Sequence, residues 1–154
     1  MKKIFLIFFI FIFHTNSLAL IEVDITRGNL NPLPIAVSPL SIDENSKKNF
    51  EKILNKKNIG SEISKVIENN LRISGLFNPL NKDAFLQAPD IANLKPRFED
   101  WNLIKAQALI TGKVKNIDDK LRVEFRLWDV LAGKEMMALA FTTVPNNWRR
   151  VGHI

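Results

Sequence analysis

Three pairs of neighbouring acids, Asp43-Glu44, Glu99-Asp100 and Asp118-Asp119, are the residues of this 154-residue chain best suited by type to acid and base work. Two carboxylates in one pocket can divide the roles of proton donor and acceptor. Each pair, however, falls in a loop, at a helix start or in a hairpin turn, where acids are favoured for local backbone reasons. The chain has two histidines: His14 ends an apolar run, and His153 lies at the last residues but one. A histidine triad or a two-histidine metal site is therefore not written in the body of the sequence. There is no cysteine, which excludes thiol catalysis, thiolate zinc sites and disulfides. The six glycines stand singly, with neither G-x-G-x-x-G nor G-x-x-x-x-G-K-S/T among them, so no nucleotide cradle is expected. These readings together predict a protein with no catalytic residue, no cofactor and no metal.

Binding residues make the stronger case. The first nineteen residues have the anatomy of an export signal: Lys2 and Lys3, the apolar run Ile4 to Phe13, and small residues in Ser17-Leu18-Ala19. A ten-residue apolar helix rises about 15 Å, half of a hydrocarbon core, so the run suits a transient signal better than a membrane span. Cleavage after Ala19 is expected to leave an exported, periplasmic or secreted chain. That would make residues 20–28 a free leading segment. Within it Ile21-Glu22-Val23-Asp24-Ile25 alternates apolar with acidic residues, the pattern of a strand with one greasy and one charged face. The predicted partner-binding residues are Leu20, Ile21, Glu22, Val23, Asp24, Ile25, Thr26, Arg27 and Gly28. Such a strand can pair with its own sheet or add to the sheet edge of another protein. Two further candidate patches are Arg122-Glu124-Arg126 and Trp148-Arg149-Arg150, whose plainer readings are a solvated sheet face and an unfinished helix.

The net charge of +6 falls to +4 when Lys2 and Lys3 are removed. Its basic residues are scattered in pairs, and the chain has no tyrosine, so no stacking surface for nucleic acid is predicted.

The elements that must position these residues are legible in part. Leu33 to Val37 reads as an extended run after Pro32, and Pro34 within it is most easily tolerated at a strand's start or on an edge. Ser41 to Asn58 is rich in Asn, Lys, Glu and Ser and reads as a long surface insertion with a helical turn or two. Ile59, Ile63, Val66, Ile67 and Leu71 mark one stripe of a helix that opens near Asn58 or Ser61 and closes at Gly75. Phe98, Trp101, Ile104 and Ala108 predict a second, shorter helix with Trp101 in the core. Three strands follow in series. Ala108 to Lys115 and Leu121 to Trp128 alternate around a turn at Asp118-Asp119-Lys120, giving one buried and one wet face. After the loop containing Gly133, Met137-Leu139-Phe141-Thr143 faces one way and Met136-Ala138-Ala140-Thr142 the other. Asn146 and Asn147 offer a cap to a final helix begun at Trp148. The expected fold is thus α/β (α+β): a small mixed sheet with a C-terminal antiparallel three-strand meander packed against two to three helices. Residues 29–154 form this domain, its last helix truncated.

In order along the chain, Leu33-Pro-Ile-Ala-Val37, Asn70-Leu-Arg-Ile-Ser-Gly-Leu-Phe77, Trp101 and Ala106-Gln-Ala-Leu-Ile-Thr-Gly-Lys-Val114 resemble the TolB family. Leu121-Arg-Val-Glu-Phe-Arg-Leu-Trp-Asp129, Gly133 and Asn147-Trp-Arg-Arg150 continue the series. The resemblance implies the amino-terminal α/β domain of that family, similar to anticodon-binding-type domains without RNA binding. It also implies a periplasmic adaptor of the Tol-Pal system that serves outer-membrane integrity and cell division. Its partners would be TolA-like and Pal-like envelope proteins, with no nucleic acid and the chain itself a monomer. In the family a six-bladed β-propeller follows this domain and carries most of the Pal contact, whereas TolA is met by the segment just after the signal peptide. That segment corresponds to Leu20 to about Gly28. The alternative function is a secreted hydrolase or ligand-binding module that uses the acidic pairs.

Overall fold

The structure, a computed structural model, describes residues 31–153. The expected signal peptide and the predicted partner-binding residues Leu20 to Gly28 lie outside the described residues.

Strand β1 (Leu33–Val37) runs through the middle of the sheet rather than along its edge. It pairs in parallel with β3 (Phe77–Pro79) on one side and with β4 (Ala108–Ile117) on the other. Pro34 is tolerated there because Ile35 is the first β1 residue level with β4, so the missing N–H falls ahead of that ladder. The Pro34 carbonyl still accepts from Gln107 N at 2.9 Å. A break at Ser38-Pro39-Leu40 then lets the chain return to the same flank of β4 as β2 (Ser41–Ile42), level with Lys113 and Val114. Strands β5 (Lys120–Asp129) and β6 (Lys134–Thr143) complete the predicted antiparallel meander, in the order β3-β1-β4-β5-β6. The register slips once, between Leu127 and Trp128, where Leu127 pairs Met137 but Trp128 pairs Glu135. Met136 is the extra residue of this bulge.

The expectation of a surface insertion over Ser41–Asn58 is corrected. The segment holds β2 and an eleven-residue helix, α1 (Glu44–Leu54). Asp43 caps it: Oδ1 accepts from Ser46 N at 2.9 Å and Oδ2 from Ser46 Oγ at 2.8 Å. Asn55 ends it in the left-handed conformation, φ 51°. The composition misleads because only Ser46 and Phe50 of this helix are buried, leaving every other position free to be polar. The next helix, α2 (Ile59–Ile73), is capped by Asn58, whose Oδ1 accepts from Ser61 N at 3.1 Å, and Gly75 takes φ +72° just beyond it, as the sequence predicts. Its amino end packs against the β1–β2 break. Ser64 Oγ accepts from Leu40 N at 3.0 Å and lies 3.1 Å from the carbonyls of Ser38 and Gly60.

Helix α3 (Pro89–Leu94) is not apparent from periodicity; α4 (Phe98–Leu103) is the predicted short helix, with Trp101 buried as expected. Ala108, whose spacing fits both the end of that helix and the start of the next strand, opens β4. A four-residue helix, α5 (Trp148–Val151), ends the described chain. Asn147 precedes it without capping it, its side chain lying 3.4 Å from Thr143 Oγ1. Among the described residues the sheet therefore carries five α-helices rather than two or three.

Both faces of the sheet are covered. Leu109 and Val114 lie at odd spacing on β4 and point to opposite sides. Val114 joins Leu121, Val123, Phe50, Ile59, Ile63, Trp148 and Val151 beneath α1, α2 and α5. Leu109 joins Trp128, Val130, Ala92 and Trp101 beneath α3 and α4. The face expected to be wet is thus dry at its Leu109–Trp128 end, where Trp128 Nε1 donates to buried Thr111 Oγ1 at 2.9 Å.

Candidate functional site

The acidic pairs do backbone work. Asp43 is the α1 cap, and its hydrogen bonds from Ser46 hold its carboxyl below the usual aspartate value. Glu99 and Asp100 stand in the first turn of α4, where Asp100 also meets the Arg97 guanidinium at 2.6 Å. Asp118 and Asp119 form the two-residue β4–β5 turn with φ 49° and 58°, the left-handed pair that a type I′ hairpin requires. Among the described residues no group of three or more His, Asp or Glu side chains draws together as a metal site. His153 Nδ1 lies 3.0 Å from Asn70 Nδ2, which also donates to Gly152 O at 2.9 Å, so the residues after α5 are fastened to α2.

The Trp148-Arg149-Arg150 patch resolves differently from its reading as a partner anchor. Trp148 is buried in the α1–α2 core, with Lys56 Nζ 5.1 Å and Arg149 Cζ 5.5 Å from its ring centre. Its indole is packing, and only the arginines face outward.

The meander presents two contrasting faces towards β6. On the helix side, Ile67, Ile110, Phe125, Leu127, Met137, Leu139 and Val151 line an open apolar cleft of about 200 Å³. On the other side Lys113, Lys115, Arg122 and Arg126 stand around Glu124 and the small residues Ala138 and Ala140. Arg122 Nε donates to Glu124 Oε1 at 2.9 Å, and that hydrogen bond, opposed by burial and aided by Lys115 and Lys113, holds the Glu124 carboxyl below the usual glutamate value. Arg126 meets Glu135 more loosely, at 3.7 Å. The sequence shows Met137, Leu139 and Phe141 on one face of β6 but not that this face borders a cleft. A signal was present: Met136, Ala138 and Ala140 leave β6 without a polar face, as suits a strand that is not simply half-buried.

This fold is a mixed sheet between two helical layers, an α/β domain. A family model described as the TolB amino-terminal domain matches residues 21–136, and the chain belongs to that family. A Tol-Pal system protein TolB of Pelagibacter ubique (strain HTCC1062) is 75% identical over 154 residues, all of this chain. The chain spans 34% of the length of that curated relative. Among solved structures, TolB from Acinetobacter baumannii superposes with a TM-score of 0.59 at 20% identity, covering 79% of this chain and 26% of that one. The LpoB C-terminal domain from Escherichia coli gives 0.52 at 13% identity, covering 76% and 86%. These likenesses bear on the fold alone, and they agree with the α/β reading. Among the described residues no helix is long and apolar enough to cross a membrane.

Proposed function

We propose that the chain works as a non-catalytic adaptor of the Tol-Pal envelope system, exported to the periplasm and freed of residues 1–19. It docks on a TolA-like partner by adding Leu20 to Gly28 as a strand to that partner's sheet. Pal-like partners would be met by the further length present in its relatives, and the assembly would serve outer-membrane integrity and cell division. The observation that carries the reading is 75% identity to a Tol-Pal system protein TolB across the whole chain, leading segment included. Two others support it. The alternation in Ile21-Glu22-Val23-Asp24-Ile25 suits strand addition, in which backbone groups give affinity and alternate side chains give specificity. The acidic pairs stand at a cap, a helix start and a turn, positions where acids are favoured for local backbone reasons, and this favours the adaptor reading over a hydrolase.

A pull-down from envelope extract tests it. Deletion of residues 20–28 should abolish capture of the TolA-like partner while far-UV circular dichroism stays unchanged; undiminished capture would refute the assigned segment. Val23→Asp, which places a charge in the apolar row, should weaken capture about tenfold or more.

A further inference from the structure

We draw no further inference here: the strongest candidate, the surface of the α3 and α4 layer on which Ile91, Leu94 and Leu103 stand exposed, carries none because nothing in the structure shows what covers it.

Discussion

Gln87 Oε1 is an acceptor on which a corner of the molecule turns. It takes the buried indole N–H of Trp101 at 2.7 Å and the Arg97 amide at 3.1 Å, while its own Nε2 is buried without a partner. Gln87→Leu leaves both donors unsatisfied and should cost about 2 kcal/mol or more in urea unfolding, well above an ordinary surface substitution. Gly60 gives a prediction of unusual sign. Ala in place of Gly within a helix normally stabilises by about 1 kcal/mol. A Cβ at Gly60, however, would lie 2.3 Å from the Leu40 carbonyl oxygen, so Gly60→Ala should lower the melting temperature. The burial of Trp101 was legible from its spacing with Phe98 and Ile104. Its partner was not, because Gln87 sits in a loop whose residues show no period.

Among the elements, α1 depends on its first residue outside the helix. Asp43→Ala should cost about 1 kcal/mol, and Asp43→Asn much less, since an amide oxygen still caps. Because Ser46 holds the folded carboxyl of Asp43 below the ordinary 3.8, its contribution is present at neutral pH and is lost as the pH falls below that value. Acid titration of stability should therefore be shallower in Asp43→Asn than in the parent, with the difference confined to that acid range. The β4–β5 turn offers a gain: Asp118→Asn with Asp119→Gly suits two left-handed residues and should stabilise by about 0.5–1 kcal/mol, read from the denaturant midpoint. The meander and α2 could be read in the sequence because each has a long, clean period. Helix α1 could not, since one buried phenylalanine and one serine make too thin a stripe. β2 and β3 are too short to show a period, and their pairing with β4 and β1 is decided by distant residues. Of the site, the arginine face was visible as alternation, whereas the exposure of β6 depends on which strand ends the sheet.

At the scale of the whole molecule, the two helical layers share β4 and β5, so neither core can be lost without opening the other. Phe50→Ala on one side and Trp101→Ala on the other should each cost about 3–5 kcal/mol. Both should shift one transition, seen alike by far-UV circular dichroism and by hydrogen exchange of the β4 amides; two separate transitions would show that the layers fold apart. The placement of the three indoles has a further consequence. Trp101 and Trp128 lie against Phe85 and Phe98 on one side of the sheet, and Trp148 lies close to two cations on the other. With no tyrosine in the chain, ultraviolet emission belongs to these rings alone. An anionic quencher such as iodide is drawn towards Lys56 and Arg149, so it should dim Trp148 ahead of the other two and give each layer its own optical signature.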